Sequence, residues 1–294
     1  MPKRPQRAVP TDREPSAAQQ AAVEALPQDR PVLMQVFWAW AEGAAIPPGL
    51  TSCLNRAKPA GCTVLTVARC DTHFIGQAEQ QWHTVVVVSA RSAKALLAWV
   101  GSSEFSKVAA HAVAVQALVA AQPRQLMQRV MGLTRWVMSK LPAPSANRPI
   151  PSEAISGGVN PTPEQFEAFK ACPQNTRIHM FNLLKFAAQV NNPLTGKPTN
   201  GKRLYGERYA PVAAQCIFRL GGRIVAIGRY RLTLIGAQGE PQPHAWDELV
   251  VAEYPGRSAF LRMLSNSVYQ RAVLHREVGL QKTQLHASTP LQTP

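Results

Sequence analysis

The chain has 294 residues, enough for two domains with a core each. Its 46% hydrophobic and 17% charged residues exclude a disordered or fibrous protein. The net charge of +15 is spread evenly, with 16 Lys+Arg against 8 Asp+Glu in residues 1–150 and 16 against 9 in 151–294, which argues against a nucleic-acid partner.

Residues 1–14 (MPKRPQRAVPTDRE) read as a disordered lead without the apolar core of a secretory signal. Pro15–Met34 then opens a first unit, and Pro161–Met180 repeats it without gaps at an offset of 146. Ser16 and Thr162 stand where helix N-caps are wanted, with Pro163 at a first helical position. A strand follows in each copy, Pro31–Trp40 and Arg177–Phe186. Leu204–Leu220 keeps helical spacing, whereas Ile46–Lys58, with Pro47-Pro48, predicts a shorter or broken helix. Glycine-led β runs come next, at Gly61–Ala68 and Gly222–Gly228.

The strongest internal repeat follows. Trp82–His111 and Trp246–His275 align over 30 positions at a constant offset of 164, and each gives a strand headed by tryptophan and then a helix ending in histidine. His111–Gln122 is rich in Ala and Val and reads as helical. Gln125–Lys140 is a basic amphipathic helix with Leu126, Val130, Leu133 and Val137 on one stripe. Packing of that stripe on its own domain is the expectation, with a partner groove or a membrane surface as alternatives. A Pro/Ser/Gly linker runs to Asn160, and a last short strand is expected near Gln281–His286. The element order predicts an α+β protein made of two tandem ferredoxin-like (βαββαβ) units, 15–122 and 161–287, separated by 123–160 and followed by a tail, 288–294. Two such sheets can cover each other as an α/β barrel, within one chain or across a homodimer.

MFNLLKF (Met180–Phe186), YGERYAPVA (Tyr205–Ala213), GGRIVAIG (Gly221–Gly228), WDELVVAEYPGRSAFLRMLSNSVYQ (Trp246–Gln270) and HREVGLQKTQL (His275–Leu285) follow one another in the second unit. In this order they resemble domain-of-unknown-function family 1330, of the dimeric α/β-barrel superfamily. The resemblance implies a barrel of two packed sheets and no particular reaction. The first unit departs from the pattern, with Val36 opposite Asn182 and no Tyr-x-x-x-Tyr helix.

The residues themselves nominate a site in the second unit. Tyr209, Asp247 and Glu248 are the catalytic candidates, and Asn182, Tyr205, Arg223 and Trp246 the ligand-binding ones. Asn182 is polar in an apolar strand, and Tyr205 and Tyr209 share a helix face. Asp247 and Glu248 adjoin on a strand and face opposite ways. Structural roles compete at each position, as core tyrosines, packing tryptophans and a helix-end His111 or His275. No HExxH, P-loop, GxGxxG or GxSxG pattern occurs, so neither a metal nor a cofactor is expected. Five cysteines without ligand spacing fit thiols of a reducing compartment, and no run reaches the roughly 18 apolar residues of a membrane span. A cytoplasmic protein is expected. It either binds a small apolar or aromatic molecule, with or without turnover, or is a structural protein whose first copy is a built-in partner.

Overall fold

The computed structural model describes the chain except residues 1–12, 43, 45, 48–49, 51–53, 56–60, 78–79, 124 and 292–294, and at 125–128 it describes the backbone alone. The lead, and most of the segment expected to hold a broken helix at 46–58, lie outside the described residues. Eight long strands form the centre: β1 (Val32–Ala39), β2 (Cys62–Ile75), β3 (Thr84–Ala90), β4 (Ala114–Ala121), β5 (Ile178–Phe186), β6 (Arg223–Ile235), β7 (Glu248–Tyr254) and β8 (Leu280–Pro290). They close into one antiparallel barrel in the order β1-β3-β2-β8-β5-β7-β6-β4. The fold is mixed α+β, and the barrel is completed within a single chain.

Each half of the chain contributes four adjacent strands. In both halves the spatial order is fourth, first, third, second. The two seams, β2–β8 and β4–β6, each join the second strand of one half to the fourth of the other. Register follows the same logic: Val36 faces Val86 across β1–β3, and Asn182 faces Val250 across β5–β7. These are the residues that the sequence offsets of 146 and 164 match to one another.

Alternation along the strands sorts side chains into an inner and an outer layer. Leu33, Phe37, Val85, Val87, Leu118, Phe181, Leu183, Leu249 and Val251 fill the barrel, as expected for eight strands. Met34, Val36 and Trp38 point outward beneath α1 (Ala17–Glu24), α2 (Ala93–Val100) and α3 (Ser103–His111). Helix α4 (Gln125–Met138) joins the halves. The outer face of the second half lies under α5 (Pro163–Ala171), a helix built from α6 (Gly201–Leu204), a π-turn (Tyr205–Tyr209) and α7 (Ala210–Arg219), then α8 (Arg257–Leu264) and α9 (Ser267–Gly279). Ser16 and Thr162 do cap α1 and α5, each in a reciprocal capping box with Gln19 or Gln165.

Several expectations are corrected. His111–Gln122 is a strand rather than a helix over most of its length, because β4 lies between β1 and β6 and is buried on both faces. That placement overrides the helix propensity of its alanines. β2 continues past Ala68 to Ile75, and β6 past Gly228 to Ile235. β8 runs to Pro290, so 288–290 belongs to the barrel and not to a tail. Trp82 and Trp246 precede their strands by two residues. The repeated helix is broken in both copies, at Gly101–Ser102 and at Ser265–Asn266, and Ser102 and Asn266 cap the second pieces. The linker after α4 is tied down: the guanidinium groups of Arg219 and Arg262 donate to the carbonyls of Pro142 and Pro144, and Asn266 donates to that of Ser145.

The α4 stripe is also turned the other way. Val130, Leu133 and Val137 are 55%, 63% and 44% exposed, while Met131 is half-buried and Met138 packs on the second core. Leu126 and Met127 fall outside the described side chains. Among the described residues no helix is long and apolar enough to cross a membrane.

Candidate functional site

The outer layers of the two halves are packed differently. In the first, Trp38 and Trp99 lie against Phe105, with all three fully buried. The repeat puts Leu184, Met263 and Tyr269 at those positions in the second half, which are smaller in two of the three cases. A cavity of about 590 Å³ lies there between sheet and helices. This is the size of a small-molecule site. Met180, Asn182, Val250 and Ala252 floor it, α7, α8 and α9 roof it, and Met131 and Thr134 of α4 close one side.

Its polar groups are few. The π-turn has a local cause: Pro211 has no N–H to give to the carbonyl four residues back. The ladder slips just ahead of it, and the Ala210 N–H bonds to the Tyr205 carbonyl, five residues back. Such single turns recur at functional sites. Here it sets the Tyr205 and Tyr209 rings 4.9 Å apart, both on the cavity wall. The Tyr209 hydroxyl lies 2.9 Å from that of Tyr269. One phenol uses its proton in that bond, so the pair keeps one O–H to donate elsewhere. Burial pushes all three phenols up, so they stay neutral.

Glu248 opens β7 and faces this space. Burial raises its carboxyl to about 7, helped by the neighbouring Asp247 and opposed by Lys202. Half of such groups are ionised at neutral pH, which suits a proton acceptor or donor. Arg276 brings a buried guanidinium to the wall and donates to the side-chain amide oxygen of Asn160 at 3.0 Å. Asn182 donates to the Met180 carbonyl at 3.1 Å, which leaves its amide oxygen as the acceptor it can offer.

Of the residues expected from sequence, Asn182, Tyr205, Tyr209 and Glu248 therefore meet in one cavity. Three others lie elsewhere. Asp247 lies just before β7, at a polar cleft that Glu248 also borders, and binds Lys185 at 3.2 Å and the Phe186 N–H at 2.8 Å. Arg223 does not join Tyr209, because the antiparallel register sets it opposite Glu253 at the far end of β7. It bonds the Glu253 carboxylate at 2.9 Å, which His179 also contacts at 3.0 Å. Trp246 packs with the barrel interior under Lys282, whose ammonium is 4.4 Å from the ring centre. His275 is not at a helix end, since α9 continues to Gly279. Sequence reading missed Tyr269 and Arg276. Tyr269, Val273 and Arg276 form a stripe at helical spacing; Tyr269 matches Phe105 of the first copy and so reads as core, and Arg276 lies one residue past the end of the repeat. Among the described residues no group of three or more His, Cys, Asp or Glu could hold a metal.

A protein of unknown function from Rhodopseudomonas palustris shares 35% identity with this chain, over 47% of this chain and 99% of its own, with a TM-score of 0.39. The chain belongs to the family of that protein. Membership carries no reaction with it, since the function of that relative is unknown. An anthrone oxidase-like protein covers 90% of this chain and 93% of its own at 10% identity and a TM-score of 0.46. A chlorite dismutase from Candidatus Nitrospira defluvii covers 93% and 96% at 8% identity and 0.41. These two are remote likenesses, and nothing about chemistry follows from them. No family model matches the chain, and no curated protein does.

Proposed function

We propose that the cavity of the second half binds a small apolar or aromatic molecule carrying one oxygen function, and that Glu248 exchanges a proton with it without a cofactor. The observation that carries this reading is a largely apolar space of about 590 Å³ whose few polar groups include a neutral phenol pair, a cation and a carboxyl titrating near neutrality. The apolar walls hold the body of the ligand. The Tyr209–Tyr269 pair and Arg276 face an oxygen that gains negative charge as Glu248 accepts a proton. In the same reading the two halves are tandem ferredoxin-like units, the second of the unknown-function family 1330 type. The first is a built-in partner that closes the barrel and has no site of its own.

Native mass spectrometry of the full chain, purified from its own host, tests the binding. A co-purifying molecule of a few hundred daltons is expected, bound to wild type and absent from Met263→Trp, which fills the cavity with the residue found at the matching first-half position. Equal retention by Met263→Trp overturns the assignment of the site. If Glu248→Gln keeps the bound molecule and full turnover of it, the proton-transfer role is wrong and the binding reading stands alone.

A further inference from the structure

Helix α4 presents an apolar face that none of the described residues buries. Val130, Leu133, Trp136 and Val137 are 44–63% exposed, and Leu141 just beyond the helix is 45% exposed. At about 100° per residue they span an arc of roughly 140°. Trp136 stands at one edge of this arc, and Arg129 and Lys140 project on the same side. The opposite side of the helix is committed, since Met131 walls the cavity and Met138 packs on the core, and Val130 and Thr134 stand at the border, exposed yet at the cavity rim. The exposed face is therefore not left over from a packing error. The inner stripe is occupied, and a second apolar stripe remains outside.

The charge around this face says what covers it. Residues 125–152 contain Arg129, Arg135, Lys140 and Arg148 and no Asp or Glu. A second copy of this chain is a poor occupant. It carries +15, and an isologous contact would set these cations against themselves. An anionic surface suits them. A short helix with a tryptophan at its edge, aliphatic residues at its centre and cations alongside is built to lie at a lipid interface, apolar face down. We propose that α4 docks this protein on an anionic lipid surface, with Leu133, Trp136 and Val137 inserted at the headgroup boundary and Arg129 and Lys140 against the phosphates. This is surface attachment and not a span, and it does not depend on what the cavity holds.

Co-sedimentation of the full chain with vesicles separates the alternatives. Vesicles of phosphatidylcholine with about one-fifth phosphatidylglycerol should bind it, and phosphatidylcholine alone should bind it weakly. Each cation removed in Arg129→Gln or Lys140→Gln should weaken binding about fivefold. Leu133→Ser/Trp136→Ser leaves the charge unchanged, and its sites are exposed, so folding is not at issue. It should weaken binding at least about tenfold. Binding equal to wild type in this variant overturns the proposal, because the overall positive charge alone then explains adsorption. Absence of binding to either vesicle overturns it too. So does a dimer seen by light scattering that Leu133→Ser/Trp136→Ser dissolves, which would make the face a protein interface.

Discussion

Glu248 imposes a cost on the fold that its replacement should recover. Its carboxyl stands at about 7 in the folded chain against an ordinary value of 4.5, chiefly through burial. At 1.36 kcal/mol per pH unit, ionising it in place opposes folding by about 3 kcal/mol. The sign follows from proton counts. Below pH ~4.5 the group is protonated folded and unfolded, and contributes nothing. Between ~4.5 and 7 the folded chain keeps a proton that the unfolded chain has lost, so stability falls as pH rises. Above ~7 the whole penalty is present. Glu248→Gln removes this titration and leaves every other one in place. Urea unfolding of both proteins at pH 5 and pH 8 isolates the effect. The variant should gain little at pH 5 and about 2–3 kcal/mol over wild type at pH 8, while losing any turnover. A stability difference independent of pH, or a variant less stable than wild type at pH 8, would refute the assignment of a desolvated carboxyl to Glu248.

Three further outcomes are expected. Arg257 is fully buried and bonds Asp71 of the other half at 2.6 Å, with Thr289 on the same carboxylate oxygen; Asp71→Asn should cost about 3 kcal/mol in urea unfolding, and Asp71→Leu/Arg257→Met should recover most of it. Asn182→Val installs the residue of the matching first-half position; it should change stability by less than about 1.5 kcal/mol and abolish capture of the co-purifying molecule in native mass spectrometry. A β-carbon on Gly201 would lie 2.0 Å from the Gly279 carbonyl oxygen and 2.8 Å from the Ala187 backbone; Gly201→Ala should lower the urea midpoint by the equivalent of about 2 kcal/mol or more, since both neighbours are backbone.

Much of the frame was legible because it rests on local chemistry. The Ser16 and Thr162 caps lie within four residues of the groups they satisfy, and the repeat offsets name the paired residues of the sheet. What could not be read depends on contacts distant in sequence. Cys62–Ile75 looks interrupted at Arg69–Asp71 because the local Arg69 is exposed and satisfies only one oxygen of Asp71; the buried partner, Arg257, lies 186 residues on. Ala114–Ala121 reads as helix from its alanines, and only its place between β1 and β6 makes it a strand. In the cavity, Tyr205, Tyr209, Asn182 and Glu248 were visible as polar residues in apolar elements. Arg276 was not, because a basic residue late in a helix usually serves the helix end. The α4 stripe was seen, but not its direction, since Met131 at the cavity and Met138 on the core take the inner side with equal hydrophobic reach.

Closing the barrel within one chain shapes how the protein is made. β8, the last strand, is inserted between β2 and β5, and its His286 meets His73 across 213 residues of sequence. Until β8 has left the ribosome, β2 and β5 present long unpaired edges to the cell. Contacts so remote in sequence form slowly. The nascent chain therefore carries an open sheet from the emergence of β2 to that of β8, and this interval, more than the finished molecule, is where mispairing with a second nascent copy would arise.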